Sequence, residues 1–481
     1  MDDASLVREL SERIVTYLLA DPRDLPVRRD ATPEEVDAAL RPVGLAMASG
    51  APPVPPDALL AAVDAVVRHS VHTRHPRFFN QNFAGADVVA VLGDALGAAL
   101  NTTNATFEAA PVFTLMEEAV LRRLAAIAGF SETTLAPGLF CPGGSTAALY
   151  ALQLARHRYD PDIARRGSRE DFAIFVSDQG HYAAEKSAAL LGLGTEAVIK
   201  VATDDLGALR PESLRDALSA TERSPLAVIA TAGTTVTAAF DPLEPIAEIC
   251  AARDLWLHVD GCYGGSALFS PRERHRLAGV ERAHSFAWNL HKMMGMTQQC
   301  SVLLLRDPDQ LGPCFSARAN YLFQPDKPYA ELDTGDRTFQ CARRNDVLKL
   351  WLTWKARGDA GFAARVERAV DLAAHARDHI ARHDAFAPVV AGDFTNVCFI
   401  WVPPPLRPFD GSEAARARIH DVTAQLKGAL QRSGVAMLSH MPVAGLNAFR
   451  LLVMNPDVTE ADIETTLGTI DGLGRDLVAG G

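Results

Sequence analysis

Six short runs, nearly continuous in apolar and β-branched residues, constrain this chain more than any other feature. They read FAIFVSD, AVIKVA, PLAVIATA, LWLHVD, SFAWNL and CSVLLLR, and fall between residues 172 and 306. Helical stretches separate several of them. A strand without polar alternation is buried on both faces, and strands that alternate with helices build parallel crossover units. The centre of the chain therefore predicts an α/β domain with a mainly parallel, doubly covered sheet. Upstream, APVFTLMEEAVLRRLAAIAGF has a proline near its first turn and closes near Gly129, the start and stop signals of one helix. Residues 1 to about 70 read as amphipathic helices interrupted by APPVPP (Ala51–Pro56). After about residue 345 a long helical pattern from Val347 through Ile380 precedes TNVCFIWVP, GVAMLSH and NAFRLLVMN, and a last amphipathic helix follows. That texture predicts a smaller α+β domain.

Composition removes several classes of function. The formal charge is −12 over 481 residues, and no basic stripe is present to neutralise a phosphate backbone, so no nucleic-acid partner is expected. No uninterrupted apolar run reaches the ~20 residues of a membrane span, so no membrane partner is expected. The first twenty residues lack a basic start and an apolar centre, so they do not read as a secretion signal. The seven cysteines are scattered without a CxxC pair, which argues against disulfides and thiolate metal sites and fits a reducing cytoplasm. No metal is expected.

In open α/β sheets ligands bind beyond the carboxyl ends of the strands. Here those ends carry reactive groups. PLAVIATA runs into Gly233, Thr234 and Thr235; LWLHVD ends in Asp260; SFAWNL leads to His291 and Lys292; FVSD leads to His181. CPGGSTAAL sets Gly143, Gly144, Ser145 and Thr146 at a helix start, where backbone N–H groups suit an anion. An amine, a carboxylate, a flat ring and an anion cradle on one rim suit pyridoxal 5'-phosphate. That cofactor needs an amine to hold its aldehyde, a carboxylate to keep its ring nitrogen protonated, and a cradle for its phosphate. Each piece alone is weak: a His-Lys pair is usually surface, and Asp260 could merely cap a helix. Their order and spacing across one α/β unit carry the assignment.

At these residues the chain resembles the group II pyridoxal-phosphate decarboxylases, in the branch of glutamate and cysteine sulfinic acid decarboxylases. The resemblance runs from about Pro76 to Leu477 and includes HPRFFNQNFAG, NTTNATFEAAPVFTLMEEAVL, FCPGGS, LWLHVD, WNLHKMMG, NYLFQPDKPYAELDTGDRTFQC and FRLLVMNP. It implies a fold-type I, aspartate aminotransferase-like large domain with a seven-stranded sheet, and a homodimer with shared active sites. The expected division is a helical dimerisation segment over residues 1–74, a cofactor-binding domain over 75–345 and a small α+β domain over 346–481. By resemblance, Lys292 bonds the cofactor, Asp260 pairs with the ring nitrogen and His181 stacks on the ring. Ser145, Thr146, Asn289 and His291 hold the phosphate, with Thr234 near the ring. Tyr321 matches the family's mobile proton donor, and Arg450 its carboxylate-binding arginine.

The chain also departs from the family. Gly261 and Cys262 stand where two alanines are common, Tyr263 where tryptophan is, and Leu290 where proline is. Ala147 and Ala148 replace a Ser-Asn pair. Near the expected substrate, Phe83 resembles the sulfinate-decarboxylating members, Asn82 replaces a leucine, Thr103 replaces Asn or Ser, and Ala105 replaces a large aromatic. With Gln81, these predict a shortened pocket opened on another side. The expected activity is α-decarboxylation of a small acidic L-amino acid: aspartate, cysteine sulfinate or cysteate. Glutamate, or an unusual amino acid of secondary metabolism, is the alternative.

Overall fold

Each of the six apolar runs is a strand, and one further strand joins them. The computed structural model describes residues 2–479 apart from Ala48, Arg318, Asn320, Tyr321, Leu322 and Pro325. In chain order the strands begin with the short β1 (Phe78–Phe79), then β2 (Gly138–Cys141), β3 (Phe172–Ser177), β4 (Val198–Val201), β5 (Ser224–Thr231), β6 (Trp256–Asp260), β7 (Ser285–Asn289) and β8 (Ser301–Leu305). The seven from β2 to β8 form one sheet in the order β2-β8-β7-β6-β5-β3-β4. Five strands run parallel, from β7 through β6, β5 and β3 to β4. Strand β8 is antiparallel to both β7 and β2. Strands β2, β3, β7 and β8 are buried at every residue, as apolar runs without alternation require.

The helix Gly144–Tyr159 lies against this sheet and buries Tyr150, Leu152 and Leu154 with Ala147, Ala148 and Ala151. Each fully buried large aliphatic contributes ~1.5–3 kcal/mol of transfer free energy. Ala147 and Ala148 are 0% and 4% exposed, so the pair that departs from the family pattern belongs to the apolar face of that helix.

The chain forms two compact units. One holds the large sheet and comprises residues 86–374 and 390–396. The other is assembled from residues 1–85, 375–389 and 397–481. Its sheet has the order β1-β11-β12-β10-β9, adding β9 (Phe386–Pro388), β10 (Asn396–Trp401), β11 (Met437–Val443) and β12 (Leu446–Leu452). Phe78 pairs with Met437 in parallel register, which joins segments far apart in the chain. The helices Asp3–Leu19, Pro33–Leu40 and Pro56–His69 precede that strand, and Thr32 with Glu35 forms a complete capping box on the second. The long helical pattern is observed as Val347–Arg382, interrupted at Gly358, whose φ of 68° no helix accommodates. Among the described residues no helix is long and apolar enough to cross a membrane.

Candidate active site

The parallel strands direct their carboxyl ends to one rim of the large sheet. Strand β8 runs the other way, so its amino-terminal approach reaches the same rim. A cavity of about 410 Å³ opens there. Ser145, His181, Asp260, Asn289, His291 and Lys292, all expected from the sequence, line it together.

Each is set by local backbone. Gly143 ends the turn after β2 with φ +88°, a conformation that favours glycine. Gly144 then starts the helix where a Cβ would lie 2.2 Å from Cys262 Sγ. First-turn N–H groups have no carbonyl partner inside a helix, and Gly143, Gly144 and Ser145 line the cavity. Ser145 is exposed to the space they face. His181 accepts the N–H of Ala183 at Nδ1, 3.2 Å away, which leaves Nε2 free of that bond. Burial holds the His181 ring below the ordinary histidine range, with the Asp260 charge opposing and Lys292 reinforcing, so it is a neutral flat ring near pH 7.

Asp260 ends β6 and accepts the N–H of Cys262 at 3.1 Å. Burial pushes its carboxyl upward, but the Lys292 ammonium and the Cys262 bond outweigh burial and hold it below the usual carboxylate range. It is ionised at neutral pH. His291 is pushed down to about 4 by burial, against the pull of its bond to the Cys300 backbone. The thiol of Cys262 is raised well above its usual value by burial and by the Asp260 charge, so it stays protonated.

Two polar atoms in the cavity wall, Asn289 Oδ1 and Thr231 Oγ1, are buried without a protein partner. Buried polar groups are normally paired, and an unpaired one costs ~1–3 kcal/mol. A wall that keeps two of them, beside an ionised aspartate and a lysine, fits a polar occupant with an anionic end. The residues present therefore suit pyridoxal phosphate.

Other expected site residues are not among those lining this cavity. The Thr146 hydroxyl donates to Pro142 O at 3.0 Å within its own helix start. Thr234 is 1% exposed; its hydroxyl bonds that of Thr237 at 2.9 Å and accepts the Ala239 N–H at 3.0 Å, while its neighbours Gly233 and Thr235 line the cavity. Neither threonine is among the lining residues. Thr103, in the same unit, accepts the N–H of Arg343 at 2.9 Å. Arg450, Gln81 and Phe83 belong to the unit of the chain ends. There Arg450 is 4% exposed and donates to Ser439 Oγ at 3.2 Å, to Asn82 Oδ1 at 3.1 Å and to the Asn80 carbonyl. Phe83 packs on Phe78 with ring centroids 6.0 Å apart, and Gln81 is exposed. Tyr321 lies outside the described residues.

The cavity also contains Tyr182, Gln298 and Gln299, which sequence reasoning missed. The two glutamines precede an antiparallel strand, so a search of strand carboxyl ends passes them by. Tyr263, noted only as a departure, lines the cavity and donates to Asn396 Oδ1 at 3.1 Å. Asn396 in turn donates to the carbonyls of Thr235 and Val236 at 3.1 and 2.8 Å, which braces the loop after β5.

The remaining departures also have local reasons. Leu290 donates its N–H to Cys300 O at 2.9 Å, a bond proline could not make. A Cβ at Gly261 would meet Phe286 Cε2 at 2.2 Å. Gly261→Ala is therefore expected to destabilise the fold by ~1–3 kcal/mol through overpacking. Combined with Phe286→Leu, its cost in urea unfolding should be smaller than the sum of the single changes. Strict additivity would show that the ring is not the obstacle.

Comparison with known proteins identifies the family. The family model described as the pyridoxal-dependent decarboxylase conserved domain matches residues 48–402. Human cysteine sulfinic acid decarboxylase is 45% identical over 427 residues, covering 87% of this chain and 86% of the relative. Human acidic amino acid decarboxylase GADL1 is 42% identical over 431 residues, covering 88% and 82%. The crystal structure of mouse CSAD superposes with a TM-score of 0.93 at 40% identity and covers 98% of each chain. A match of this extent, on a chain whose sheet rim gathers the cofactor's required groups, leaves one conclusion: the chain belongs to the pyridoxal-dependent decarboxylases and is a pyridoxal phosphate-dependent amino acid decarboxylase.

Proposed function

We propose that the enzyme removes the α-carboxylate of a short acidic L-amino acid, with aspartate, cysteine sulfinate and cysteate favoured, and releases CO2 and the amine. The observation that carries this reading is one cavity lined by Lys292, an Asp260 carboxylate held ionised, and a glycine-rich helix start. Bound pyridoxal phosphate supplies a protonated ring that draws in the electrons of the breaking Cα–carboxylate bond. Lys292 Nζ would hold its aldehyde, and the Asp260 carboxylate would keep its ring nitrogen protonated. The His181 ring would lie against its face. The first-turn N–H groups of the helix from Gly144, with Ser145, Asn289 and His291, would hold its phosphate. Tyr321 returns a proton to Cα, which completes an exchange of CO2 for H⁺ at that carbon.

For the substrate, Arg450 is assigned to a carboxylate. A buried guanidinium held by Ser439, Asn82 and the Asn80 carbonyl is preorganised for bidentate binding. Gln81, Phe83 and Thr103 are assigned to the pocket wall, with Phe83 shortening it. The names of the two human relatives, one for cysteine sulfinic acid and one for acidic amino acids, support the same class.

Homodimerisation with shared active sites is part of this proposal. The helix Val88–Leu100 exposes Leu92, Leu96 and Leu100 at four-residue spacing, an apolar stripe suited to a second copy. A cytoplasmic setting is also proposed, supported by the free thiols of all seven cysteines.

Product identification with aspartate, cysteine sulfinate, cysteate and glutamate tests the substrate. The shorter acids are expected to exceed glutamate in kcat/KM by ~10–200-fold, the discrimination one methylene supports. Arg450→Ala should raise KM for the preferred acid by at least ~10-fold, in line with a charge-assisted bond of ~1.5–3 kcal/mol. Turnover of none of the four acids would overturn the substrate class, and preference for glutamate would overturn the assignment of Phe83.

A further inference from the structure

Within the unit formed by the chain ends, a histidine pair meets a carboxylate. His375 and His379 stand four residues apart near the end of the helix Val347–Arg382, so they share one face. Glu464 reaches them from the carboxyl-terminal helix Glu460–Ala479, with its Oε1 3.2 Å from His375 Nε2. One donor atom from each of the three residues lies within 4.8 Å of the other two. A tetrahedral zinc ion with bonds of ~2.0–2.2 Å sets its donor atoms ~3.4 Å apart, so small rotations of these side chains would close the site. His375 and His379 are partly exposed and Glu464 is exposed, which gives an ion an entry path and leaves room for water as a fourth ligand.

We infer that His375, His379 and Glu464 form a binding site for a divalent transition-metal ion of the zinc class. Two imidazoles and one carboxylate are a donor set that zinc accepts and that magnesium, which prefers an oxygen octahedron, does not. Arg382 also acts on His379 as a positive charge, opposite in effect to Glu464. Glu460 Oε1 is 3.8 Å from His375 Nδ1, close enough to assist or to compete as an ion pair. His383 stacks on His379 with centroids 5.9 Å apart, but its Nδ1 accepts the N–H of Ala385. None of these residues lines the cavity around Lys292. A metal here would clasp the end of one helix to the terminal helix, and a ligand bound only by the folded state raises stability by mass action.

The test is calorimetric titration of chelator-treated holoenzyme with zinc chloride, beside melting curves in zinc or magnesium chloride. Cys341 is exposed, so the experiment uses a Cys341→Ser background to remove a competing thiolate. One zinc per chain is expected, with a rise in melting temperature that magnesium does not reproduce. His379→Ala and Glu464→Gln should each weaken zinc binding at least tenfold and abolish the rise, while melting near the parent temperature without metal. A zinc response that survives both variants, an equal response to magnesium, or no zinc binding at micromolar concentration would overturn the site.

Discussion

Lys292→Ala is expected to lower CO2 release by at least ~10³-fold, the scale seen when a covalent catalytic group is removed. The same change should abolish fixation of the cofactor by borohydride, which in the parent enzyme labels the peptide containing Lys292. The argument starts from the turn after β7. Lys292 N–H bonds Asn289 O at 3.2 Å, and Gly295 N–H bonds Lys292 O at 3.2 Å, so the backbone fixes where the side chain leaves the rim. Alanine keeps both backbone bonds, and the fold should survive. What disappears is the amine and its charge. Since that charge opposes burial at Asp260, the aspartate carboxyl should shift upward in the variant, against the lowered position it holds with Lys292 present. Cofactor affinity should therefore fall along with turnover. A label on another lysine, or turnover within ~10-fold of the parent, would remove Lys292 from its proposed role.

The residues legible in the sequence were those whose position follows from strand topology. Asp260 and Lys292 sit where apolar runs end, and a parallel sheet carries all such ends to one side. His181 follows β3 for the same reason. Hydroxyl groups were less legible, because a serine or threonine at a loop can serve the loop itself. Thr234 and Thr146 do so, through Thr237 and Pro142. The glutamines Gln298 and Gln299 escaped notice because β8 is antiparallel, a property no local pattern announces. The association of the two chain ends was hidden for a related reason. The two residues of β1 pair with β11 across more than 350 positions, and a two-residue strand leaves no periodic signal. Ala105 shows another limit. The sequence predicts that it opens the pocket; in the fold it is 2% exposed and its carbonyl accepts the N–H groups of Thr334 and Gly335. A small residue reveals missing volume, and only the neighbours reveal what fills it.

Asp260→Asn should leave the fold intact and reduce kcat by ~10²–10³-fold, the range for losing one preorganised electrostatic group. Asparagine retains an oxygen for the Cys262 N–H that Asp260 now accepts at 3.1 Å, so the turn after β6 can persist. It carries no charge to hold a proton on a ring nitrogen, which is the role proposed for Asp260. The loss should fall on kcat, with KM changing little, if the charge matters mainly as the bond at Cα breaks. Stability supplies an independent readout. The Asp260 carboxyl lies below its ordinary range in the folded state, so the folded protein binds that proton less readily than the unfolded chain. Its contribution is present above the unfolded value near ~3.9 and fades as pH falls through the depressed folded value. The variant lacks this term, so its melting temperature should fall less steeply than the parent's as pH drops from 5 to 3. Asp260→Glu, which restores the charge on a longer arm, should recover part of kcat. If the asparagine variant turned over within ~3-fold of the parent, the ring would not depend on this carboxylate and its proposed role would fail.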